Sequence, residues 1–98
     1  RGPEYKLKAL VERGGCYMSL GAIDKAIPEL ERATRMIKDE GATEALYGRY
    51  FLAMCHEKMR DLDKAIEQWE RIYAKKPAFR DVAAVVARNL VPVPPGLH

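Results

Sequence analysis

The 98-residue sequence predicts an all-α fold, an α-α superhelix of about five antiparallel helices. Three observations carry this prediction: an internal repeat, apolar residues spaced three to four apart, and no strand signal. The segment Ile23-Asp24-Lys25-Ala26-Ile27-Pro28-Glu29-Leu30-Glu31-Arg32 recurs as Leu62-Asp63-Lys64-Ala65-Ile66-Glu67-Gln68-Trp69-Glu70-Arg71, with six of ten positions identical at an offset of 39. A helical pattern precedes and follows each copy, so the repeating unit is helix–turn–helix. Connections of a few residues force consecutive helices to be neighbours.

The first helix is expected over about Glu4 to Leu20, with Leu7, Leu10, Gly14, Tyr17 and Leu20 on one face. Gly21 ends it, as a residue in the left-handed region does. The second helix begins with Asp24 near its N-cap, and its apolar stripe is Ala26, Ile27, Leu30, Ala33 and Ile37. Pro28 is read as lying within or near the first turn, where it costs little or bends the helix slightly. Gly41-Ala42-Thr43 breaks the chain again, with Thr43 the candidate N-cap of a third helix over about Glu44 to Met59. A fourth follows over about Asp63 to Lys75, stopped by Pro77. The fifth, about Phe79 to Leu90, carries Val82, Val85, Val86 and Leu90. The Pro-rich tail, residues 91–98, is expected to be extended or flexible.

At these spacings the residues resemble the tetratricopeptide repeat. Gly14, Tyr17, Ala26 and Ala33 match its pattern in the first copy, with Leu30 in the second aromatic slot. Ala53, Ala65, Trp69 and Pro77 match in the second, where His56 takes the first aromatic slot and Ile72 the last alanine slot. The resemblance covers residues 4–90: a first repeat over 7–40, a second over 46–79 and a capping helix over 79–90. It implies a right-handed solenoid in which small residues let helix axes approach to about 8–10 Å. The sequence departs from the family in its spacing, 39 residues rather than the usual 34, and the additional residues fall around Lys38 to Ala42. Arg13 and Arg49 stand where large apolar groups are usual, and their stems are expected to pack while their heads reach solvent.

The resemblance also implies a function, the holding of a peptide or partner protein in a concave groove lined by the first helix of each pair. One stripe of those helices contains Lys8, Val11, Gly15 and Met18, then Tyr47, Tyr50, Met54 and Glu57. The fifth helix adds Asp81, Ala84 and Arg88. Tyrosines and methionines beside a bare glycine make an adaptable apolar trough, and Lys8, Glu57 and Arg88 a polar rim. Some members of the family grip a chaperone's C-terminal carboxylate with Lys, Asn and Arg. The corresponding positions hold Val11, Gly15, Phe51, Asp81 and Val85, so that clamp is not expected. The alternative reading is a structural or self-associating unit, with Leu7 and Leu10 on an uncovered first helix. In the same reading the start at Arg1 rather than Met marks a terminal piece of a longer array.

Other chemistries find little support. Seventeen basic and 14 acidic side chains are interspersed without a long run of one sign, so no nucleic-acid partner is expected. No apolar stretch approaches the 18 residues of a membrane span, and residues 1–20 do not read as a signal segment. Cys55-His56-Glu57 cannot converge on one metal or substrate, because consecutive helical side chains diverge by about 100°. His56 is read as a core residue in place of Tyr17, and His98 as incidental. Cys16 and Cys55 occupy equivalent positions on helices too far apart for a disulfide, and are expected as buried thiols. Unbridged cysteines lean towards a reducing, cytoplasmic compartment. With no phosphate loop, zinc spacing or oriented Ser–His pair, neither catalysis nor a cofactor is expected.

Overall fold

The structure, a computed structural model, describes residues 2–90 apart from the side chain of Leu90. The expected tail and His98 lie outside that range. Five helices and no strand are present among the described residues: α1 (Pro3–Ser19), α2 (Ile23–Arg35), α3 (Thr43–Lys58), α4 (Leu62–Lys75) and α5 (Val82–Leu90). α1 pairs with α2 and α3 with α4 as antiparallel hairpins. The hairpins stack through α2 on α3 and α1 beside α3, and α5 closes the stack against α4. The fold is an all-α helical repeat.

Both hairpins turn by the same device. After α1, Gly21 adopts φ +79°; its N–H donates to Met18 O at 3.0 Å, and the Ala22 N–H reaches back to Tyr17 O at 2.8 Å. This pair of bonds is a Schellman closure, which satisfies carbonyls that a helix end leaves open. Thirty-nine residues on, Arg60 at φ +64° takes the role of Gly21, with Arg60 N–H to Glu57 O and Asp61 N–H to His56 O both at 2.9 Å. The turn geometry repeats where the residue does not.

Helix starts differ from expectation in three places. Asp24 does not cap α2; Ala22 stands at the N-cap and Asp24 lies in the first turn, where its charge complements the helix dipole. Thr43 is the first residue of α3 after an N-cap at Ala42, and its hydroxyl makes no capping bond. The chain does cap α4, where Asp61 Oδ1 accepts from the Lys64 N–H at 3.4 Å. Phe79 precedes α5 rather than opening it, inside a turn in which the Phe79 N–H donates to Lys76 O and the Val82 N–H to Phe79 O. Pro28 stands past the first turn of α2, so it removes one interior helix bond from a helix that nonetheless continues to Arg35.

The residues added to the repeat form a loop rather than extra helix. α2 stops at Arg35, and the chain turns at Asp39, whose Oδ1 accepts from the Gly41 N–H at 3.0 Å. That loop presents Glu40 to Arg49, a fork-to-fork pair at 2.9 and 3.1 Å, while Arg49 Nη1 donates to Gln68 Oε1 at 2.8 Å. The expected solvated head of Arg49 is therefore corrected: the residue is only 6% exposed. A charge so placed is tolerable because its donors are matched bidentately. Arg13 meets the expectation, being exposed, with its guanidinium paired to Glu29.

Packing explains the small residues. A Cβ on Gly14 would lie 2.5 Å from Leu30 Cγ, and one on Gly48 would lie 3.2 Å from Val11 Cγ2. Gly14 thus sets the spacing of α1 on α2, and Gly48 that of α1 on α3. Leu30 and Ile72 are completely buried, each stabilising the fold by about 2 kcal/mol. Leu7 and Leu10 are not an uncovered apolar face; both are buried with Val11 and Ala33. That removes one of the observations behind the self-associating alternative. Leu20, expected on the buried stripe, is 79% exposed beyond the helix end.

Candidate interaction face

α1 and α3 lie side by side, and the face they share gathers several of the residues expected to receive a partner. Phe51 lies across the gap between the helices. A Cβ on Gly15 would sit 3.1 Å from Phe51 Cε2, so the glycine is the seat of this ring rather than bare groove floor. An open depression borders the contact, lined by Glu12, Gly15, Cys16, Met18, Leu20 and Phe51 among others. Met18 lines it, and Tyr47 and Met54 of α3 are likewise half-buried, packed on the core.

Two expected lining residues are corrected. Val11 is 5% exposed, wedged between Leu7, Leu10 and the backbone of Gly48. Tyr50 is 8% exposed, with its ring edge-on to Trp69 at 5.1 Å and to Phe79 at 5.8 Å. Its hydroxyl donates to Asp81 Oδ1 at 2.8 Å; burial holds its pKa above the ordinary phenol value, against the opposing pull of the Arg80 guanidinium and with the help of the Asp81 carboxylate. Both residues support the face from beneath. The closing helix explains why: the turn before α5 places Phe79 on α3 and covers Tyr50.

Lys8 and Arg88 are exposed and Glu57 is half-exposed. Lys8 is near the start of α1, Glu57 near the end of α3, and Arg88 near the end of α5. They stand on three different helices. Asp81 and Ala84 are exposed on the α5 side. Reading the sequence assigned Phe51 no part in the trough. Its signal was the Tyr47-to-Phe51 spacing of one helical turn, and the ring centroids are indeed 5.7 Å apart.

His56 is buried as expected of a core residue, and burial depresses its pKa. Cys55 is fully buried in the cluster of Ala26, Leu30 and Leu52, and burial raises its thiol pKa. Cys16 is corrected: it is exposed, whereas α2 covers Cys55. No group of three or more His, Cys, Asp or Glu is placed to hold a metal among the described residues. No helix among them is long and apolar enough to cross a membrane.

Comparison with protein families finds one match, to the tetratricopeptide repeat over residues 7–40. The matched segment begins on α1 and runs through α2 into the loop that carries Glu40. Comparisons with curated proteins and with solved structures give no match.

Proposed function

From the match of residues 7–40 to the tetratricopeptide repeat, we propose that the α1–α3 face binds a peptide or an extended segment of a partner protein. Repeats of this family are generally protein-interaction modules, and in this reading α3–α4 is a second repeat and α5 its closing helix. The observation that carries the proposal is the pair of half-buried apolar side chains Met18 and Phe51, which line an open depression between two helices, with Tyr47 packed against Phe51 and Met54 half-buried one turn along α3. Apolar groups fixed on one side and open on the other suit a partner's side chains without large ordering costs. Methionine adds adaptability to that surface, and tyrosine contributes area with a polar tip. Phe51, seated on Gly15, forms its floor, and Lys8, Glu57 and Arg88 its polar margin. Val11 and Tyr50 act indirectly, by holding α3 in place.

Selection from a random octapeptide library tests this. Wild-type protein is expected to enrich peptides with an apolar consensus. Met18→Gln combined with Met54→Gln is expected to weaken the selected peptides about tenfold or more, the loss of one to two buried apolar contacts. Circular dichroism checks that the helices persist. Equal binding by the double variant excludes this face as the site.

A further inference from the structure

Charge divides unevenly along the chain. Over residues 2–70 acidic side chains outnumber basic ones, whereas between residues 71 and 90 Arg71, Lys75, Lys76, Arg80 and Arg88 are set against one acid, Asp81. Two of these cations are accounted for: Arg71 pairs with Glu67 at 3.7 Å, and Lys75 acts electrostatically on Glu40. Lys76, Arg80 and Arg88 are exposed and make no ion pair among the described residues. The sole acid is engaged from within, since Tyr50 donates its hydroxyl to Asp81.

Arg80 is singled out by its backbone and its position. It adopts φ +46°, a left-handed conformation that residues other than glycine rarely take. The turn that imposes this φ sets the Arg80 guanidinium carbon 5.1 Å from the centre of the Tyr50 ring. The cation is therefore held at the α3 end of the proposed interaction face, within cation–π range of an aromatic base and open to solvent.

We propose that this end of the face takes an acidic segment of the partner polypeptide, with Arg80 as its anchor and Lys76 and Arg88 as its basic surroundings. The inference rests on the α1–α3 face being the binding site, and names the chemistry of what binds there. A planar guanidinium pairs with a carboxylate bidentately, and an uncompensated basic end steers an acidic chain into register. The apolar line Met18–Phe51–Met54 then receives side chains further along the same segment. A single-stranded nucleic acid fits less well, because it requires exposed aromatic faces for base stacking. Here Tyr50 and Phe79 are buried, and Phe79 takes one side of the Tyr47 ring, edge-on at 5.0 Å.

The octapeptide selection separates the two levels. Peptides selected by the wild type are expected to carry Asp and Glu at about threefold their starting frequency, at one or two positions beside the apolar consensus. Arg80→Gln, a change at an exposed side chain, is expected to abolish the acidic enrichment and keep the apolar consensus. An acidic peptide from the wild-type pool should weaken about fivefold on this substitution, the scale of one exposed ion pair. A pool with an apolar consensus but no acidic enrichment overturns the acidic anchor and leaves the face standing. Acidic enrichment that survives Arg80→Gln overturns Arg80 as the anchor. Binding of an oligouridylate that Arg80→Gln weakens, without acidic peptides, reassigns the basic end to nucleic acid and also overturns the proposal. Peptide binding unmoved by the Met18 and Met54 substitutions overturns the face itself.

Discussion

Single side chains set the distance between helices in this protein, and two glycines show how narrowly. At Gly14 an added Cβ would overlap the branch of a completely buried Leu30, at 2.5 Å; at Gly48 it would lie 3.2 Å from one methyl of Val11. Alanine gains about 1 kcal/mol of helix propensity at either position. Overpacking at Gly14 costs about 1–3 kcal/mol, so the steric cost outweighs the gain there and the two nearly cancel at Gly48. Chemical denaturation should show Gly14→Ala destabilised by about 1 kcal/mol or more, and Gly48→Ala unchanged within about 0.5 kcal/mol. The reverse order would contradict the packing described. Gly14 was legible in the sequence as a small residue on an apolar stripe. Phe51 on Gly15 was not, because a contact between α1 and α3 depends on how the two hairpins are rotated on each other. Arg49 was misread for a similar reason. Its apolar neighbours on α3 are local, but its partners Glu40 and Gln68 come from a loop and from the next helix.

At the scale of the element, the repeat preserves geometry more faithfully than residue type. Gly21 and Arg60 close α1 and α3 with the same pair of backbone bonds and the same sign of φ. Arginine pays a left-handed strain of about 1–2 kcal/mol that glycine does not, offset partly by the entropy glycine loses on folding. Arg60→Gly is therefore expected to raise stability by about 0.5–1 kcal/mol, and Gly21→Ala to lower it by about 1 kcal/mol. Thermal unfolding of the two variants checks the sign; a destabilised Arg60→Gly would mean that its side chain contributes contacts the structure does not show. The five helices were readable from periodicity and from Gly21 and Pro77. Their exact starts were less so, because Asp24 and Thr43 are capping residue types that the chain places one or two positions inside the helix. Neither backbone angle nor hydroxyl direction is written in residue type.

Across the whole molecule, stability should respond to acid in two stages whose order follows from the direction of each shift. Burial lowers the pKa of His56, so the unfolded chain takes up its proton first. Stability falls as the pH drops below about 6.5 towards the depressed folded value. Glu40 has its carboxyl pKa lowered by the hydrogen bonds and charge of Arg49, against the opposing effect of burial. Its contribution is present above about 4.5 and is lost as pH falls through the folded value. Glu40→Gln should therefore flatten the stability profile below about pH 4.5 and leave the slope between about 5 and 6.5 in place. An unchanged profile in that variant would show that Glu40 does not draw stability from Arg49. The sequence announced the extra loop residues through their count, while their use as the carrier of Glu40 emerges only when both hairpins are assembled.

The same assembly leaves Met18, Tyr47, Phe51 and Met54 half-buried and buries Val11 and Tyr50, the arrangement on which the proposed face rests. Amide chemical-shift mapping of the isotopically labelled protein with a selected octapeptide tests this arrangement most directly. The largest changes are expected on α1 around Gly15 and Met18 and on α3 around Phe51 and Met54, with α2 and the outer side of α4 silent. Changes concentrated on α2 and α4 instead would place the binding surface on the opposite side of the stack.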